Sequence, residues 1–250
     1  MKSMNTTNSK YLAPINGWNA TRMSGLAFLT LLSLPASAVT VLNNSFEDDV
    51  LAADGAFTGI VTNWVAINVN AAGGGAYNPD GTNFTGATGS GTPTGADGVN
   101  VFSTAVTATP GSIYGSSQLL TGTSLTAGTI YTLTVAIGDY ANLPAVNWNL
   151  GISTSSMAFG SFLNTASGLG SALTDDAFRD FSVSYTASGL ETQNLEDLKI
   201  TFWQTSTAGV GGEDFRYIPF DNVRFDAVPE PSSVLIGSLG ALALLRRRRN

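Results

Sequence analysis

Tyr131-Thr132-Leu133-Thr134-Val135-Ala136-Ile137 decides the reading of this chain, because large apolar residues occupy every second position and small or hydroxyl residues stand between them. A period of two places one set of side chains on each face of an extended strand. The same alternation returns in Phe181-Ser182-Val183-Ser184-Tyr185, in Leu198-Lys199-Ile200-Thr201-Phe202 and in Val223-Arg224-Phe225. Turn-forming pairs lie between these runs: Ala127-Gly128, Gly138-Asp139, Asn142 to Pro144, Ser188-Gly189 and Gly211-Gly212. No sustained helical period interrupts them. Half-buried antiparallel strands with short turns must cover their apolar faces, and two packed sheets do so. The expected fold is all-β, an antiparallel sandwich of jelly-roll type.

The two ends read differently. Lys2, Lys10 and Arg22 precede the apolar run Leu26 to Leu34, and Ala36-Ser37-Ala38 supplies the small residues that a signal peptidase accepts. Residues 1–38 are therefore expected to be a signal peptide cut after Ala38. At the other end Pro229-Glu230-Pro231 is followed by an apolar run, Ser232 to Leu245, and by Arg246, Arg247, Arg248 and Arg249. Fourteen helical residues rise only about 21 Å, short of the ~30 Å hydrocarbon core, so this hydrophobic helix is a marginal and temporary anchor. The arginines hold it with everything upstream outside the cytoplasm.

This tail resembles the PEP-CTERM sorting signal of Gram-negative bacteria, also labelled as an ice-binding-protein C-terminal domain. The resemblance implies processing near Pro229 to Pro231 by an exosortase-type membrane protease. It further implies delivery to the cell envelope or extracellular matrix, with transient inner-membrane anchoring and an association with exopolysaccharide and biofilm.

Residues 39–227 remain as one domain, with 228–250 as the sorting signal. The whole chain carries 11 basic and 18 acidic residues, yet only Arg179, Lys199, Arg216 and Arg224 lie in the body beside all acids but Glu230. That acidic balance disfavours nucleic acid and suits cations or neutral sugars. With no Cys and no His there is no disulfide, no zinc finger and no triad using either residue. Charged residues make up only 12% of the chain, so hydroxyls and amides must supply much of the surface. Residues 71–98 are so rich in glycine that they read as a long loop.

Asn43-Asn44-Ser45-Phe46-Glu47, Trp64, the run Leu125 to Leu133 and Phe220-Asp221-Asn222-Val223 resemble the galactose-binding-like jelly rolls shared by many carbohydrate-binding modules. In that superfamily the first and last strands are neighbours, which implies that Glu47 and Asp221 meet. They would then resemble the carboxylate ligands of a structural Ca²⁺ site, with Asn44 or Asp48 nearby. Oxygen donors are what Ca²⁺ takes, although Asp221 and Asn222 can equally satisfy turn backbone. The acidic pairs do not fit EF-hand spacing.

Sugar binding asks for an aromatic face and planar polar groups. Trp148, Trp203 and Tyr140, with Asn147 beside Trp148, are the candidate ligand-binding residues. Trp203 has the opposite parity to Leu198, Ile200 and Phe202, so it is expected on the solvent face. Ordinary core packing is the competing role for each aromatic. No acid stands in a recognisable catalytic motif, so the body is expected to bind rather than catalyse, as a carbohydrate-binding, adhesive or structural module. The alternatives are a polysaccharide-active enzyme using paired carboxylates, and an ice-binding protein, for which ranked threonines are lacking.

Overall fold

The computed structural model describes residues 37–71, 73–80, 95–140, 147–173, 177–193, 195–206 and 215–230, with Gly237 and Gly240. The chain divides into two compact units, Met1–Leu32 and Ser33–Asn250, and every described residue belongs to the second. Its described strands are β1 (Ser37–Val39), β2 (Phe57–Thr58), β3 (Val65–Val69), β4 (Gly73–Tyr77), β5 (Val101–Val106) and β6 (Ile113–Ser124). They continue with β7 (Thr129–Gly138), β8 (Asn147–Thr154), β9 (Asn164–Gly168), β10 (Phe178–Thr186), β11 (Asp197–Thr205) and β12 (Arg216–Pro229).

Two antiparallel sheets form a jelly-roll sandwich. The first has the order β10-β7-β12-β5-β4-β2 with β1 added against β12, and the second has the order β3-β6-β11-β8-β9. The alternating residues do what their period requires. Tyr131, Leu133, Val135 and Ile137 of β7 are buried between the sheets with Leu198, Ile200 and Phe202 of β11. On the opposite face Thr132 and Thr134 share hydroxyl hydrogen bonds of 2.9 and 2.8 Å with Ser184 and Ser182 of β10.

The centre of the core is aromatic. Phe202 lies 5.1 Å from Trp64, 5.1 Å from Phe102 and 4.7 Å from Phe220, ring centre to ring centre. Phe46, before the second strand, joins them with a positive φ of 62°. Rings of this size each remove enough apolar surface from water to contribute about 2–3 kcal/mol.

Strand β12 changes parity midway. Ile218 and Phe220 face inward, and after a bulge between Asp221 and Arg224 the inward residues become Val223 and Phe225. Asn222, at φ 44°, takes up the extra residue. The bulge leaves Asp221 fully buried where uninterrupted alternation would have turned it outward.

The expected long loop over 71–98 needs correction. Gly73-Gly74-Gly75 belong to β4, paired with β5 and β2. Gly74 and Gly75 are glycines because their neighbours come close: a Cβ on Gly74 would stand 2.5 Å from the Ser103 carbonyl oxygen and from the Tyr114 ring, and one on Gly75 would meet the Thr58 carbonyl, whereas Gly73 meets nothing within 4 Å and takes a φ of 151°. Residues 81–94 lie outside the described residues. So do Ala36 of the signal-cleavage motif, and Pro231 and Arg246 to Arg249 of the sorting signal. Ala38, the residue before the expected cut, lies within β1 opposite Asp226.

Candidate functional site

Along β5, Phe102 faces the sandwich core, which leaves Val101, Ser103 and Ala105 on the outer face of the first sheet. Tyr217 of β12 stands opposite Ala105, and Gly73 of β4 flanks the same residue on the other side. Around this strip a cavity of about 790 Å³ opens, walled by Phe57, Tyr77, Tyr114, Tyr140, Phe215 and Tyr217, with Ser103 and Asn68 contributing polar groups. Phe57 and Phe215 are 54% and 43% exposed, so two aromatic rings at this cavity are open to an incoming molecule.

The polar groups there are held in place. Tyr140 donates its hydroxyl to Ser103 Oγ at 3.0 Å and sets its ring edge-on to Tyr217, with centroids 6.3 Å apart. Tyr114 reaches from the second sheet and donates to the Gly74 carbonyl at 3.0 Å. Burial pushes the phenols of Tyr140 and Tyr114 upward, and burial followed by the nearby Asp80 charge does the same to Tyr77. No Asp, Glu, Lys or Arg is among the described residues that line the cavity. The described lining is thus aromatic and hydroxyl-bearing, able to stack rings and to exchange hydrogen bonds through hydroxyls and one amide.

A second polar cluster joins the start and end of the domain. Glu47 accepts hydrogen bonds through Oε1 from the amides of Val99 and Asn100, at 2.7 and 2.6 Å. Asp221 accepts from the Asp97 amide at 2.6 Å and the Asn222 amide at 2.7 Å. Both carboxylates thus grip one segment, 97–100, where Gly98 has φ 90° and a side chain would strike Glu47. Burial, reinforced by the charges of Asp97 and Glu47 and opposed by the two amides, pushes Asp221 up to about 8. Beside it Asn100 is tied by Nδ2 to the carbonyls of Phe46 and Asp49 at 3.1 and 3.0 Å, while its buried Oδ1 has no hydrogen-bond partner.

This donor set is all oxygen and lacks cationic compensation at Asp221, which fits Ca²⁺ in kind. Among the described residues no group of three acidic side chains is arranged to hold a metal ion, so amide and carbonyl oxygens would have to complete the shell. Asn44 already uses its carbonyl to receive the Val223 amide at 2.9 Å. Asp48 donates its amide to Asn43 Oδ1 at 3.0 Å.

The four expected ligand-binding residues separate. Tyr140 is in the cavity wall. Trp148 shares parity with Leu150 and Ile152, is buried in the core and packs 4.4 Å from Phe181 across the sandwich. Trp203 does lie on the outer face of the second sheet, as its parity requires, but it is only 8% exposed. Phe162 stacks on it and Phe159 meets it edge-on at 5.5 Å. Asn147 is half-buried opposite Thr205 on the same sheet. Sequence reasoning missed Phe215, Tyr217 and Ser103. Tyr217 carried a usable signal, since it alternates with the inward Ile218.

Residues 37–226 match the model of the HpiC1-like family, described as HpiC1 cyclase. The chain belongs to the HpiC1-like family. Its last segment, residues 227–249, matches the PEP-CTERM protein-sorting motif, so this HpiC1-like protein is exported and sorted through an exosortase. The fold is similar to the Stig cyclase Fisc from Fischerella sp. TAU, crystallised with (3Z)-3-(1-methyl-2-pyrrolidinylidene)-3H-indole, at 19% identity and TM-score 0.60 over 78% of this chain and 100% of that one. A cyclase from Fischerella sp. TAU in complex with 4-(1H-indol-3-yl)butan-2-one gives 19% identity and TM-score 0.59 over 78% and 99%. TmCBM61 in complex with β-1,4-galactotriose is matched at 13% identity and TM-score 0.44 over 76% and 98%. No curated protein is matched by sequence. Among the described residues of this HpiC1-like chain no helix is long and apolar enough to cross a membrane.

Proposed function

We propose that this exported HpiC1-like protein is a binding module that holds a neutral ring, a saccharide unit of extracellular polysaccharide, in the aromatic cavity on the outer face of its first sheet. The observation that carries the reading is the described lining: tyrosine and phenylalanine rings with Ser103 and Asn68, and no ionisable group but phenols among the described residues. Sugar C–H faces stack on such rings while hydroxyl and amide groups pair with sugar hydroxyls. An acidic body at the cell envelope of a Gram-negative bacterium repels anionic chains and tolerates neutral ones.

The protein acts by binding and not by turnover. Acid–base chemistry at neutral pH needs a group that titrates near that pH, and the described lining of the cavity offers only phenols, raised further by burial at Tyr140, Tyr114 and Tyr77. A second reading, cyclisation of an indole-bearing substrate, draws support from the family match and from the indole compound in Fisc. Among the described lining residues it would draw on aromatic rings, hydroxyls and one amide.

Ca²⁺ belongs to the same proposal as a structural ion. Glu47 and Asp221 would hold it, helped by Asp97 and the Asn100 amide oxygen, and it would supply the positive charge this junction lacks. Its effect on the cavity would be indirect: Ala96, one residue before the gripped segment, packs against the cluster of Val101, Ala136, Tyr140 and Phe178. Titration with neutral oligosaccharides and with indole tests the two ligand readings side by side. Saturable oligosaccharide binding that Tyr217→Ala weakens at least tenfold supports the first, and binding or conversion of indole compounds alone supports the second.

A further inference from the structure

Strand β12 does not end with the sandwich but runs into the sorting signal. Val228 pairs with Ile130 and Pro229 with Thr129 of β7, and the Glu230 amide donates to the Gly128 carbonyl at 2.6 Å. The first two residues of the Pro-Glu-Pro motif are therefore the last rungs of a ladder that starts deep in the first sheet. Pro229 sits at the strand's end, where proline is tolerated because the strand can spare its missing donor. On the other edge the described part of β1 runs from Ser37 opposite Ala227 to Val39 opposite Phe225.

Peptidases take their substrates as extended backbone, using the N–H and C=O groups on both sides of the bond to be cut. In residues 228–230 the edge toward β7 is already occupied, and the chain cannot enter a cleft there unless the ladder opens. We infer that the folded sandwich protects the Val228–Pro229 and Pro229–Glu230 bonds, so that exosortase processing leaves Pro229 and Glu230 on the mature protein. The cut then falls on the C-terminal side of Glu230. In a hydrolytic cut the C–N bond breaks, water gives its hydroxyl to the new α-carboxyl group, and its remaining proton goes to the departing amine. The body is thereby its own ruler, fixing how much of the signal survives. This rests on the reading of the tail as an exosortase substrate.

The experiment is mass spectrometry of the full chain co-produced with an exosortase. Digestion after Arg224 should yield a C-terminal peptide that begins at Phe225 and contains Pro229 and Glu230. A peptide ending at Val228 or Pro229 overturns the inference while leaving the sorting reading intact, and an uncut chain overturns both. As a second measurement, hydrogen exchange of the purified full chain should show the Glu230 amide slowed at least tenfold. Inserting Ser-Gly-Ser-Gly between Ala227 and Val228 should release that protection and open the Val228–Pro229 and Pro229–Glu230 bonds to the protease, so that shorter C-terminal peptides appear. A cut site unchanged in that variant overturns the inference.

Discussion

The indole of Trp203 lies nearly parallel to the ring of Phe162, 9° from coplanar with centroids 5.0 Å apart. A sugar ring approaching this tryptophan would find its face taken by the protein's own chain. Removing the cover with Phe162→Ala should cost about 2 kcal/mol of stability, given one half-buried ring and one stacked pair. It should also shift Trp203 emission to longer wavelength. Oligosaccharide affinity should stay unchanged, because the proposed cavity lies on the other sheet; calorimetry on the variant checks this.

Asp221 links stability to pH, and the proposed calcium ion would share that link. Its folded value of about 8 stands far above the 3.8 of an ordinary aspartate, so folding retains a proton that the unfolded chain releases. That contribution is fully present below about 3.8 and is lost as pH rises through about 8. In EGTA the Tm should therefore fall between pH 5 and pH 8, and Asp221→Asn should flatten the decline. Added Ca²⁺ competes with the proton, so it should raise the Tm more at pH 8 than at pH 5. A calcium response equal at both values would remove Asp221 from the ion's shell.

Glu191 should show the opposite dependence. It receives hydrogen bonds from the Tyr185 hydroxyl at 2.7 Å and the Ser188 and Gly189 amides at 2.6 and 2.8 Å. These bonds, that from Tyr185 foremost, lower it from 4.5 to about 2. Its stabilising effect is present above about 4.5 and disappears as pH falls toward 2. Melting curves of Glu191→Gln should lie below the parent at pH 6 and converge with it near pH 2.

Gly74 and Gly75 of β4 make a sterically sharper case. Gly75→Ala pushes a methyl group into the Thr58 carbonyl, where backbone must move, and should cost about 1–3 kcal/mol. Because β4 carries Tyr77 and lies under Tyr114, ligand affinity should fall with it. Gly111→Ala, which meets nothing within 4 Å but carries φ 79°, separates backbone strain from collision.

These glycines also show where sequence reading stops. The strands around Tyr131, Leu198 and Phe225 were legible because period-two alternation is local and each strand buries one face. Gly73-Gly74-Gly75 read as a loop, since what demands glycine at Gly74 and Gly75 is the approach of Tyr114 and Thr58, which local pattern does not record. Trp203 was placed on the correct face, yet its cover comes from Phe162, 41 positions away, and only the folded chain brings the two together. The junction of Glu47 with Asp221 was readable through resemblance at its two ends. Its middle, Asp97 to Asn100, begins inside the glycine-rich stretch 71–98 that reads as a loop and runs two residues past it. The cavity was hardest to see because Tyr140, Ser103 and Tyr217 come from three separated segments, and their common face follows from sheet order.

Calorimetric titration of neutral oligosaccharides into the parent protein and Tyr217→Ala tests the central claim most directly. The account predicts saturable binding to the parent, at least tenfold weaker in the variant, with no product formed on prolonged incubation. Equal affinity in both proteins, or turnover of the added compound, would contradict it.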